Sequence, residues 1–225
     1  MTTQVHVQFK LSWQRQNMKI VRSFTKFALA AALTTLSMAA AAQVTLRFGH
    51  ANSPGEVAYD LYQEFANNVN KKSNGQLNIR VFPSEQLGKE VDLLQQLKSG
   101  ALDISTPSMP TLNIMVPAFE MPSAPFLWKD WKEAEAVIRG AAMEPIWTEL
   151  KDKHNIVPLT KIWYWGWRNF TFTSKEVRKP EDMAGLKVRV PESPIWVEMV
   201  RGFGAAPTPI PFGEVYTALQ QKTVD

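Results

Sequence analysis

Cysteine is absent from the 225 residues, which excludes disulfide staples, thiol nucleophiles, thiolate metal sites and a lipidated cysteine. Histidine is scarce: beyond residue 42 only His50 and His154 occur, and neither stands at helical or metal-ligand spacing with a pair of acids. H-E-x-x-H, G-x-S-x-G and the phosphate-cradling G-x-x-x-x-G-K-[ST] are all missing. Gly202-Phe203-Gly204 opens a G-x-G-x-x-G, but at the end of a predicted helix instead of after a strand, so it carries no nucleotide signal. With 21 acidic residues and no fixed geometry, paired carboxylates have no specificity. Glu133 and Glu135 are expected to face solvent. The sequence nominates no catalytic residue, no metal and no cofactor.

What is present begins with a leader. Residues 18–42 have a basic start (Lys19, Arg22, Lys26), an apolar middle from Phe27 to Met38 and small residues at Ala40 and Ala42. That is the layout of a secretory signal peptide with cleavage after Ala42, and residues 1–17, upstream of Met18, read as an upstream extension. The apolar run is short for a membrane span. Residues 1–42 hold five of the 25 basic residues and no acid, so the remaining 183 residues carry 20 against 21, a net charge of −1. The formal +4 of the whole chain belongs to the leader, and nothing supports binding to nucleic acid or to an anionic membrane. The expected location is the periplasm.

Alternating apolar residues predict strands over Val44–His50 and Leu77–Phe82, and a short one over Leu102–Thr106. Between them, Ser53-Pro54 predicts a helix start, with Val57, Leu61, Phe65 and Val69 on its apolar face, and Gln86–Ser99 predicts a second helix. This β-α-β-α-β order implies a largely parallel sheet. Pro107–Pro125 reads as a packed irregular loop. Helices follow near Trp131–Arg139 and Glu144–Asp152, then a strand over Ile156–Trp165 that resumes as Trp167–Thr173. A second unit opens with a helical turn at Pro180-Glu181-Asp182, a strand at Leu186–Val190, a helix at Pro194–Phe203, an extended piece at Ala206–Pro209 and a helix at Phe212–Gln221. The fold class is therefore α/β, with 43–165 as a first lobe and 166–225 as part of a second.

Arginine placement carries the functional signal. In Leu186–Val190, Arg189 interrupts an apolar alternation, and it either faces water beside Lys187 or is a fixed cation for an acidic ligand. In IWYWGWRNF (162–170) three tryptophans, a tyrosine and a phenylalanine surround Gly166 and Arg168. A guanidinium held against ring faces is pre-organised for bidentate carboxylate binding. Two such cations would make a site for a small organic anion.

Several motifs in order complete the picture: Leu87-Gly88 before an acidic helix ending Leu97-Lys98-Ser99-Gly100-Ala101-Leu102-Asp103, then Gly166-Trp167-Arg168. Pro180-Glu181-Asp182-Met183-Ala184-Gly185-Leu186-Lys187-Val188-Arg189-Val190-Pro191 follows, then Gly204-Ala205-Ala206-Pro207-Thr208-Pro209 and Phe212-Gly213-Glu214-Val215-Tyr216-Thr217-Ala218-Leu219-Gln220. Together they resemble the DctP-type solute-binding proteins of TRAP (tripartite ATP-independent periplasmic) transporters across essentially the whole chain after the leader.

That resemblance implies a two-lobed periplasmic binding protein closing over a ligand, with no bond chemistry and with the transporter's membrane subunits as partners. It makes Arg189 the main salt bridge to a substrate carboxylate, Arg168 a second ligand-facing arginine and Phe212 an aromatic packing on the ligand. His50, Ala51 and Ser108 fall at pocket positions that vary with substrate. Family members continue beyond Val224-Asp225 into a Gly-Gln-Glu-Asn segment, so the chain reads as C-terminally truncated, with its second lobe incomplete. Substrates consistent with the arginines are a C4-dicarboxylate, a keto acid or a sugar acid, with a lean to the sugar acid because ring walls can stack on it. The alternatives are a receptor for an ATP-driven importer and a periplasmic enzyme acting on an acidic substrate.

Overall fold

The computed structural model describes residues 43–162, 166–173 and 175–225. The signal peptide, Trp163, Tyr164, Trp165 and the expected lobe boundary at residue 165 therefore lie outside or beside the described residues. Strand β1 (Val44–Gly49) is central in a three-stranded sheet, flanked by β2 (Leu77–Phe82) and β3 (Ile104–Ser105), and β1 and β3 run parallel with Phe48 opposite Ile104. Helix α1 (Val57–Lys72) connects β1 to β2, and α2 (Glu90–Ser99) connects β2 to β3. Among the described residues no helix is long and apolar enough to cross a membrane.

Two helices start later than the sequence suggests, each for a backbone reason. Ser53 accepts from the Glu56 amide, the Ser53 amide donates to Glu56 Oε1 at 2.8 Å, and Gly55 sits at φ +93°, so 53–56 form a turn and α1 begins at Val57. Gly88 at φ +124° likewise delays α2 to Glu90, whose first turn is capped by Asp92 accepting from the Lys89 amide at 3.1 Å.

The face of α1 also differs from expectation. Ala58, Tyr62 and Ala66 are buried against Phe48 and Ile79, while Val57, Leu61 and Phe65 are exposed. The two alanines let the helix approach the sheet closely around the single large ring of Tyr62, which packs edge-on to Phe48 at 5.1 Å.

After β3 the proline-rich stretch is packed, as expected, but around helical turns: α3 (Met109–Leu112) and a 3-10 helix at Pro117–Ser123. With α4 (Trp131–Arg139) and α5 (Glu144–His154) they enclose a second core of Leu94, Leu112, Val116, Phe119, Ile138, Met143, Trp147 and Leu150. Burial of each large apolar side chain there contributes about 1.5–3 kcal/mol. The strands expected over 156–162 and 167–173 are not formed. Asn155 ends α5 in the left-handed conformation, the Ile162 carbonyl accepts from Arg139 at 2.7 Å, and the Thr173 amide donates to Asp225 at 2.8 Å. No neighbouring strand among the described residues offers these segments a ladder.

A 3-10 turn (Pro180–Met183) leads into β4 (Lys187–Val190), α6 (Pro194–Gly202) and β5 (Ala206–Pro209), then a 3-10 turn (Phe212–Glu214) and α7 (Val215–Gln220). Strands β4 and β5 pair in parallel with Arg189 opposite Thr208. Met183, Val188, Val190, Val200 and Ala205 form a third core beneath them. Both sheets lie within one unit spanning 45–225.

Candidate functional site

In α/β sheets ligands bind beyond the carboxyl ends of parallel strands. Four of the residues singled out from the sequence fall there: His50 follows β1, Ser108 follows β3, Arg189 lies in the second half of β4, and Phe212 follows β5. Val188 and Val190 point into the core, so the pleat turns Lys187 and Arg189 to the other face. Lys187 is exposed, but Arg189 is half-buried and its Nε donates to the Ile210 carbonyl at 2.9 Å. This bond fixes the guanidinium and leaves its outer edge available.

The charge of Arg168 acts on Arg189. Desolvation first, and Arg168 second, hold the Arg189 guanidinium below the ordinary arginine value; Glu90, Glu192 and Glu85 oppose that shift. Arg168 is likewise lowered by desolvation and raised by Glu90. As a whole residue Arg168 is exposed, but its guanidinium lies 5.0 Å from the ring centre of Trp196 on α6. Among the described residues the ring beneath it thus comes from the helix after β4, while in its own segment Trp167 is exposed and Phe170 packs against Phe172 and Phe203.

Glu90, the first residue of α2, acts electrostatically on both arginines and on the Tyr62 hydroxyl, raising each pKa. Its Oε1 accepts from the Ser108 amide in a very short contact. Ser108 also caps α3, with its Oγ 2.9 Å from Thr111 Oγ1. Glu90 and Trp196 are the two site residues that sequence reasoning missed: one carboxylate among 21 has no local signature, and Trp196 is made relevant only by the packing of α6.

The remaining residues are peripheral to the arginine pair. His50 is 1% exposed, in edge-on or tilted contact with Phe48, Tyr59 and Tyr62, and neither ring nitrogen has a partner among the described residues. Burial lowers its pKa, against the pull of Glu56, so it is a neutral packing residue here. Ala51 is half-buried next to Asn52, which donates to Glu56 at 2.7 Å. Phe212 is 45% exposed and opens a turn held by Glu85 accepting from the Gly213 amide at 3.1 Å and by a Lys89–Glu214 ion pair. No cluster of metal ligands occurs among the described residues.

Two cations and one carboxylate in this arrangement suit a small anion. The sequence model of DctP, described as bacterial extracellular solute-binding protein, family 7, matches residues 48–225. The chain belongs to this family.

Among curated DctP relatives, the sialic acid-binding periplasmic protein SiaP of Vibrio cholerae is 34% identical over 196 residues, covering 86% of this chain and 60% of SiaP. A TRAP periplasmic solute-binding protein from Xanthobacter autotrophicus, solved with β-D-galacturonate, is 34% identical with a TM-score of 0.68, covering 80% of this chain and 59% of that one. One from Sulfurospirillum deleyianum, solved with succinate, is 30% identical with a TM-score of 0.75, covering 80% and 58%. The fold is accordingly the α/β type of the TRAP binding proteins, and this chain spans about three fifths of the length of these relatives.

Proposed function

We propose that the chain is the substrate-binding subunit of a TRAP transporter, exported through residues 18–42 to the periplasm, where it captures a sugar acid and presents it to the transporter's membrane subunits. The observation that carries this reading is the pair of desolvated guanidiniums, Arg189 bonded to the Ile210 carbonyl and Arg168 lying on Trp196, with Glu90 offsetting the desolvation of both. Arg189, fixed by Ile210, takes the substrate carboxylate; Arg168, lying on Trp196, takes the second edge of the same group. Each charge-assisted bond contributes about 1.5–3 kcal/mol. Glu90 accepts from substrate hydroxyls and repels a second carboxylate, which favours a hydroxylated monoacid over a C4-dicarboxylate. Phe212 supplies a ring wall, Ser108 holds Glu90 in place, and His50 and Ala51 pack behind the site.

No reacting group is required by this reading; the work is done by closure of two lobes, meeting near residue 165, around the ligand. The extent of closure is limited by the ligand's preference for the closed state. A thermal-shift panel of uronates, aldonates, C4-dicarboxylates and the corresponding neutral sugars tests it. The expected result is a raised Tm with sugar acids alone, lost in Arg189→Ala. Stabilisation by neutral sugars, or an undiminished response in Arg189→Ala, would overturn it.

A further inference from the structure

A serine just before Pro194 is well placed to cap its own helix by accepting from the amide of the second or third helical residue. In this chain it does not: Ser193 makes no such bond. Its hydroxyl instead donates to Glu120 Oε1 at 2.5 Å, and the same oxygen accepts from the Ile195 amide at 2.8 Å. Glu120 lies in the 3-10 helix 117–123, so a carboxylate brought from 73 residues away replaces the local cap. The contact is enclosed, Ser193 being 3% exposed and Glu120 half-buried. A carboxylate at a helix N-terminus is favoured by the helix dipole and by the free amides of the first turn.

The residue after Ile195 is Trp196, the ring on which the Arg168 guanidinium lies. The indole Nε1 is buried and has no hydrogen-bond partner among the described residues. The ring is thus held by packing and by the position of its helical turn, and Glu120 fixes that turn. We infer that Glu120 is a positioning residue for the arginine pair: by capping α6 from the other sheet's side of the chain, it sets Trp196 under Arg168 and thereby the spacing of Arg168 from Arg189. The inference rests on the carboxylate-binding reading for its consequence in affinity, but its structural half stands without any ligand.

The test uses the full chain, with two readouts. In the ligand-free protein, Glu120→Ala is expected to shift the Trp196 indole N–H and Arg168 Nε–H resonances, assigned with Trp196→Phe and Arg168→Lys. Glu120→Gln, which keeps an acceptor oxygen, leaves them near their original positions, and Ser193→Ala moves them less, in the same direction. With β-D-galacturonate as probe, Glu120→Ala weakens binding about tenfold, and adding it to Trp196→Leu costs nothing further.

A fall in Tm with both resonances unmoved would reduce Glu120 to a purely structural cap and overturn the proposal, as would losses that add in the double variant. If Glu120→Ala does not fold, Glu120→Gln and Ser193→Ala decide by the same resonances. Absence of galacturonate binding in the unmodified chain would count against the proposed substrate, while the resonances would still settle the positioning role.

Discussion

Arg189 Nε is bonded to the Ile210 carbonyl at 2.9 Å, so a side chain on one strand is anchored by the backbone just beyond its neighbour. The bond uses Nε and leaves the two terminal nitrogens of the fork for the proposed carboxylate. A lysine ammonium bonded to that carbonyl keeps two N–H donors, but on one nitrogen, and cannot offer a carboxylate the planar two-nitrogen fork. Arg189→Lys is therefore expected to weaken sugar-acid binding by about 30-fold or more, with Tm in the absence of ligand changed little. Isothermal titration checks this, and a loss under threefold would show that charge alone suffices.

In the proposed site Glu90 would set selectivity by opposing any second negative charge near the arginines. Glu90→Gln keeps an acceptor for the Ser108 amide but removes that repulsion. The expected outcome is weaker galacturonate binding together with stronger succinate binding, measured as the ratio of the two Kd values. An unchanged ratio would place Glu90 outside the site.

His50 predicts an acid-side loss of stability. Burial holds its folded pKa below the ordinary 6.5, so the unfolded chain binds a proton more readily than the folded one. Stability from this group is complete above pH 6.5 and is lost as pH falls through 6.5 toward the lower folded value. Tm measured from about pH 7.5 down to about pH 5 should fall, and His50→Phe, which keeps the ring among Phe48, Tyr59 and Tyr62, should flatten the slope in that window.

Gly88 tests the turn that presents Glu90. It lies at φ +124°, and a β-carbon there would come within 2.9 Å of Asp92 Cβ, in the first turn of α2. Gly88→Ala should destabilise the fold by about 1–3 kcal/mol, read from the urea midpoint, and should also weaken ligand binding, because Glu90 starts two residues later.

Much of this architecture was legible in the sequence. The strands β1, β2 and β4, helices α4, α5 and α6, and the extended piece that becomes β5 follow from periodicity and from Gly and Pro punctuation. The failures share a cause, which is that local pattern does not report tertiary partners. The segments 156–162 and 167–173 have strand-like composition, but their backbone groups bond to Arg139 and Asp225 instead of to a neighbouring strand. Of the apolar stripe Val57–Leu61–Phe65–Val69, Val69 packs on the sheet core while the other three are exposed, and that core otherwise receives Ala58, Tyr62 and Ala66, whose small flanking residues admit close approach. Arg168 and Arg189 stood out as cations in apolar surroundings. Glu90, Trp196 and the remote cap by Glu120 depend on contacts between distant segments and left no local mark.

The central claim is that a carboxylate, and not a sugar ring by itself, is recognised by the arginine pair. Titration of the full chain with β-D-galacturonate and with galactose, which differ in that group, tests it most directly. Measurable binding of the acid, none of the neutral sugar, and loss of the acid's binding in Arg189→Ala are expected. Equal affinity for both sugars, or acid binding that survives Arg189→Ala, would contradict it.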